Sequence, residues 1–212
     1  MNKRTLVLVS LLVATLLAGC NSAPNPQALL AEAKQFRAKG ESKTALIQVK
    51  NAIQASPDLA EGHFLMGAIF LDLGQAALAE PELRKALELK MDPRDVLPVL
   101  ARSILDQDKF QEVLDESAPE RLAAAGPSAE IASLRARAFL GLSRIPAAQA
   151  AFKEALQYDG DYPEALVGLA KITAADGRPV AGLELVERAL VRSPSNLDAL
   201  LLQGDLQRVL GN

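Results

Sequence analysis

Residues 44–90 read TALIQVKNAIQASPDLAEGHFLMGAIFLDLGQAALAEPELRKALELK. Within this stretch Ala45, Val49 and Ala52, placed ahead of Pro57, return as Ala79, Leu83 and Ala86. Spacings of this kind put the three side chains on one helix face, and the small residues let a second helix approach closely. The set comes back as Ala148, Phe152 and Ala155, and again as Val186 and Ala189 ahead of Pro194. A period of about 34 residues predicts a stack of helical hairpins, each burying its apolar face against its neighbours.

This spacing resembles the tetratricopeptide signature. The fold it implies is all-α, a helical-hairpin solenoid wound into a right-handed superhelix. Aligning the small residues places unit starts near 26, 60, 94, 129, 163 and 197, steps of 34, 34, 35, 34 and 34, or about five and a half repeats over 26–212. Composition agrees: half of the 212 residues are apolar, Trp is absent and aromatics are few, which favours packed helices over a sheet core.

Local signals give the hairpins their ends. Asn25 is placed to cap a helix starting at Pro26, which needs no amide partner there. Gly40 closes that helix, a second runs over 41–55, and Pro57 stops it. In the second unit Gly67 serves close packing and Gly74 a turn. The third unit is irregular: Ser117-Ala118-Pro119 predicts that its second helix ends near Glu116, and Ala123 to Pro127 predicts an extra helical turn ahead of the fourth unit. The sixth unit halts at Gly211-Asn212, which reads as a piece of a longer array or as a final helix covering the fifth unit.

The first 19 residues begin with Lys3 and Arg4 and continue in an apolar run, Leu6 to Leu17, too short to span a bilayer comfortably. They read as an export signal ending in Leu17-Ala18-Gly19-Cys20, which resembles the lipobox of bacterial lipoproteins. That resemblance implies a signal peptide over 1–19, a covalent lipid on Cys20, and a short tether over 20–25. The alternative is an ordinary secretory signal with an incidental cysteine at its border. Asn21 is not the Asp associated with inner-membrane retention, so the resemblance points to the outer membrane of a Gram-negative envelope, facing the periplasm. The tether reaches roughly 20 Å at about 3.5 Å per residue, which holds the solenoid near the membrane surface.

Lys3 and Arg4 are the only charges of the leader, so its removal takes the formal net charge from −3 to −5. No basic tract remains to neutralise a row of phosphates, which argues against nucleic acid as a partner. His63 is the sole histidine and Cys20 the sole cysteine. Neither metal ligation nor nucleophilic catalysis has the partners it needs, so we expect no enzyme, no metal and no cofactor beyond the lipid. His63 reads as a partly buried packing residue.

Binding should then fall to the concave face, formed in this repeat family mainly by positions 2, 5, 9, 12 and 13 of each first helix. Position 9 carries Lys34, Ala68, Arg102, Arg137, Lys171 and Asp205, and the four basic residues, Lys34, Arg102, Arg137 and Lys171, form a candidate ladder for an acidic peptide or polysaccharide. Position 2 carries Glu61, Asp95, Glu130 and Glu164, so a mixed-charge face without such a ligand is the competing reading.

Taken together, LLAGC at 16–20, the stretch 39–116 and the broken third unit resemble the N-terminal part of the tetratricopeptide lipoproteins found with exosortase, or PEP-CTERM, protein-sorting systems of Gram-negative bacteria. The resemblance implies a non-catalytic, membrane-anchored scaffold for protein or peptide partners, working beside exopolysaccharide and biofilm production. A general envelope adaptor for outer-membrane assembly, pilus biogenesis or secretion is the alternative.

Overall fold

The computed structural model describes residues 25–117, 126 and 128–211. The leader, Cys20 and the turn expected ahead of the fourth unit lie outside the described residues. Those described form eleven α-helices and no strand: α1 Pro26–Ala38, α2 Ser42–Ala55, α3 Ala60–Asp72, α4 Ala76–Glu88, α5 Pro93–Leu105, α6 Phe110–Glu116, α7 Ala129–Gly141, α8 Ile145–Tyr158, α9 Pro163–Ala175, α10 Pro179–Arg192 and α11 Leu197–Leu210.

Each odd-numbered helix up to α9 packs against the even-numbered helix that follows it, making five hairpins, and α11 packs on α10 and α9. The odd-numbered helices also touch one another in succession, so they form one wall and the even-numbered helices the other. Contacts thus run between neighbouring units, the one-dimensional arrangement of a repeat solenoid.

Four first helices are started by side-chain caps. Asn25 accepts from the Gln27 amide at 3.0 Å, Asp92 from Arg94 at 2.9 Å, Ser128 from Ile131 at 3.2 Å and Asn196 from Ala199 at 3.0 Å. Asp92 caps a helix whose first residue is Pro93, one residue ahead of the aligned start at Arg94. Inside the hairpins the packing residues are fully enclosed: Ala45, Val49, Ala52, Ala79, Leu83, Ala86, Ala148 and Ala155 all have no accessible surface. A Cβ on Gly67 would lie 2.6 Å from Leu83 Cγ, so only glycine lets α3 and α4 come this close.

The fifteenth residue of every unit is left-handed. Gly40, Gly74, Gly177 and Gly211 have φ of +77°, +69°, +80° and +82°, but Asp108 and Ser143 adopt +58° and +57° at the same place. Asp tolerates this region because its short polar side chain satisfies nearby groups, whereas Ser carries the Cβ penalty. Ser143→Gly should therefore raise the unfolding free energy by about 1 kcal/mol, less the entropy glycine adds to the unfolded chain. A urea midpoint at or below that of the parent would reject this account.

The third unit deviates as its prolines foretold. α6 has seven residues, ends at Glu116 and is capped by Ser117, whose hydroxyl donates to the Val113 carbonyl at 2.6 Å. This short helix is tied to the second unit by Arg84, which donates to Glu112 at 2.6 Å and Glu116 at 2.9 Å.

Candidate functional site

Along the inner wall the first helices of units three to six frame an open groove of about 750 Å³. α5, the turn after it and α6 contribute Asp106, Asp108 and Phe110; α7 contributes Arg137 and Leu140; α9 contributes Glu164 and Lys171; and α11 begins at its far edge with Leu197 and Asp198. Its floor is apolar where two glycines thin the wall. A Cβ on Gly141 would meet the Phe110 ring at 2.5 Å, and one on Gly168 the Phe152 ring at 2.2 Å.

The four cations of the position 9 ladder do not converge on one place. Lys34 lies at the N-terminal end, in a separate depression of about 590 Å³ that it shares with Arg37 and Asp72. Arg137 and Lys171 line the larger groove, and Arg102 borders neither. Each is matched by a carboxylate: Lys34 pairs with Glu61, Lys171 with Asp198 at 3.4 Å, and Arg102 and Arg137 share Asp106 at 4.0 and 3.9 Å.

Geometry explains the pairing. Position 9 of one unit and position 2 of the next are 27 residues apart, as in Lys34 with Glu61 and Lys171 with Asp198, and stacking the units brings those positions side by side. These pairs are exposed and individually add little to stability. Their effect on recognition is larger, because a cation already facing a carboxylate offers less field to an incoming anion.

Acidic groups near the start of α7 and α9 are less well matched. Burial pushes the Glu130 carboxyl above its ordinary range against the pull of Arg102, and Glu164 pushes it further. Burial also raises the Tyr162 phenol, with Glu164, Glu130 and Asp159 acting in the same direction.

His63 is nearly enclosed on α3, 9% exposed, with Nδ1 2.7 Å from Glu82 Oε2 and Nε2 2.8 Å from the Pro57 carbonyl. It fastens α4 and the turn after α2 to α3, a polar clamp where sequence suggested packing alone. Glu82 carried no signal of its own, since an exposed-looking Glu on a helix has no marked partner until the hairpin closes. Among the described residues no three His, Cys, Asp or Glu side chains gather to hold a metal ion. No described helix is long and apolar enough to cross a membrane.

Residues 133–197 match the tetratricopeptide repeat family model. The chain is 31% identical over 83 residues to DnaJ homolog subfamily C member 3 of Bos taurus, a match covering 39% of this chain and spanning 16% of that protein's length. Among solved structures it is similar to a tetratricopeptide-repeat protein of Thermus thermophilus, with a TM-score of 0.71 at 20% identity, covering 85% of this chain and 98% of that one. It is also similar to PilW, a widely conserved type IV pilus biogenesis factor, with a TM-score of 0.70 at 17% identity over 91% of this chain and 88% of that one. Likeness at this level of identity establishes the fold: a tetratricopeptide-repeat solenoid.

Proposed function

We propose that this tetratricopeptide-repeat chain is a lipid-anchored, non-catalytic scaffold of the Gram-negative cell envelope, which holds protein or peptide segments in the groove between units three and six. The observation that carries this reading is the groove itself, about 750 Å³ and open, with an apolar floor and charged walls on a rigid stack of helices. Such a surface offers side-chain pockets and hydrogen-bonding edges to a chain laid along it, which is how solenoids recognise partners. The anchor rests on Leu17-Ala18-Gly19-Cys20, and outer-membrane placement on Asn21.

Within that scaffold role, service to exosortase sorting and exopolysaccharide production follows from the sequence resemblance of 39–116 and the broken third unit. A pilus-assembly role is the second reading, supported by similarity to PilW along 91% of this chain. Cross-linking in living cells through a photoreactive residue at Leu140, on the groove, separates them. Recovery of sorted surface proteins or polysaccharide-synthesis proteins supports the first, recovery of pilins supports the second, and cross-linking to neither sinks both.

The anchor has its own test. Cys20→Ser should abolish incorporation of radioactive palmitate and move the chain from the membrane fraction to the soluble one. Continued labelling of the variant would end the lipoprotein reading.

A further inference from the structure

We propose that the segment held in the groove is basic as well as apolar: a stretch of Lys or Arg interleaved with Leu-like side chains. This rests on the scaffold reading and specifies its ligand.

The walls of the groove carry four carboxylates, Asp106, Asp108, Glu164 and Asp198, against two cations, Arg137 and Lys171. Both cations are engaged within the protein, Arg137 with Asp106 at 3.9 Å and Lys171 with Asp198 at 3.4 Å. Asp106 is further shared with Arg102 at 4.0 Å. That pairing leaves Asp108 and Glu164 without an ion-pair partner among the described residues, both exposed and facing the same cavity. An acidic ligand would have to displace two existing pairs and then lie beside two uncompensated carboxylates. A basic one displaces nothing and neutralises both. Charge complementarity of this kind sets partner choice more than raw affinity.

The apolar half of the ligand follows from the floor. Phe110 and Leu140 are half-buried and Leu197 is 66% exposed, so the groove presents hydrophobic surface between its charged walls. Phe110 stands two residues from Asp108 on the turn into α6, where the stem of a Lys or Arg can lie on the ring while its head reaches the carboxylate.

Asp108 permits a clean test. Its backbone is left-handed at φ +58°, a conformation Asn accepts at least as readily, so Asp108→Asn removes the charge and keeps the turn. Three fluorescein-labelled peptides of equal length and leucine content, carrying lysine, glutamate or glutamine at the remaining sites, are titrated against the full chain in mild detergent. We expect the lysine peptide to bind about tenfold more tightly than the glutamine peptide, the scale of one charge-assisted hydrogen bond, with the advantage shrinking as salt is added. Asp108→Asn and Glu164→Gln should each reduce that advantage, and the double variant should abolish it, with the circular dichroism spectrum unchanged. Tightest binding of the glutamate peptide, equal binding of all three, or an unaltered lysine preference in both variants overturns the basic-ligand inference while leaving the groove as a binding site. Failure of every peptide to bind overturns the inference together with the groove reading beneath it.

Discussion

Phe152→Ala will lower the unfolding free energy by about 3–5 kcal/mol, the usual cost of emptying a large buried aromatic site. Phe152 is 1% exposed and is the largest fully enclosed side chain among the described residues. Its ring fills the space between the fourth and fifth units, with Ala132, Ala136, Ala148 and Leu169 in the same cluster and Gly168 directly above it. The equivalent residues Val49, Leu83, Ser117 and Val186 are all smaller. A loss of this size is a large fraction of the 5–15 kcal/mol that stabilises an ordinary domain. Because solenoid stability is a chain of nearest-neighbour terms, the damage should concentrate at the junction of units four and five.

The same contact makes a second, sharper expectation. A Cβ on Gly168 would lie 2.2 Å from the ring, so Gly168→Ala alone forces a repacking that costs about 1–3 kcal/mol. The three atoms nearest that Cβ all belong to the ring, so removing the ring removes the clash. The double variant Gly168→Ala with Phe152→Ala should therefore be less destabilised than the two single losses added together. Urea denaturation of all four proteins measures the coupling, and strict additivity would mean that the ring does not press on this glycine.

Much of this was legible beforehand because a repeat states its packing several times over. Ala45, Ala79 and Ala148 recur because two helices must nearly touch there, and Asn25 announces a helix because Pro26 follows it. The all-α hairpin solenoid followed from the recurrence of those residues and its resemblance to the tetratricopeptide signature. Other features resist reading from one sequence. Pro81 and Pro98 sit inside α4 and α5, where proline costs a backbone hydrogen bond, and the helices continue because neighbouring units hold them. Pro81 would have argued for a break. Asp108 and Ser143 gave no sign of a left-handed turn, since that demand appears only when they are set beside Gly40 and Gly74. The ladder cations were found on the inner wall, but their matching carboxylates depend on how far one unit is offset from the next. Spacing along the chain suggests that offset and stacking decides it.

The second large effect is a loss of stability in acid that traces to Glu80. Only 13% of its side chain is exposed, and burial by itself would raise its carboxyl. Hydrogen bonds from Lys109 at 2.7 Å, Gln107 at 2.9 Å and Arg84 at 3.0 Å override that and hold it at about 2, well below the ordinary 4.5. In the unfolded chain the carboxyl takes its proton near the ordinary value. Between the two values the unfolded state therefore binds more protons, so the stabilisation is complete above the ordinary value and drains away as pH falls toward about 2. The shift corresponds to an upper figure of about 3 kcal/mol. What loosens is specific. Arg84 and Lys109 link Glu80 to the turn before α6 and, through Glu112 and Glu116, to the short helix itself, whose seven residues otherwise rest on the packing of Val113, Phe110 and Leu114. Hydrogen-exchange protection, taken relative to the intrinsic amide rate at each pH, should fall more in α6 than in the other described helices when the pH is taken from about 7 to about 3. Glu80→Gln should exchange faster already at neutral pH and lose much of this pH dependence, since no carboxylate remains to titrate there. If the variant keeps the parent's full acid response, the weak point lies in another carboxylate, and Glu80 is a spectator held among cations that α6 does not need.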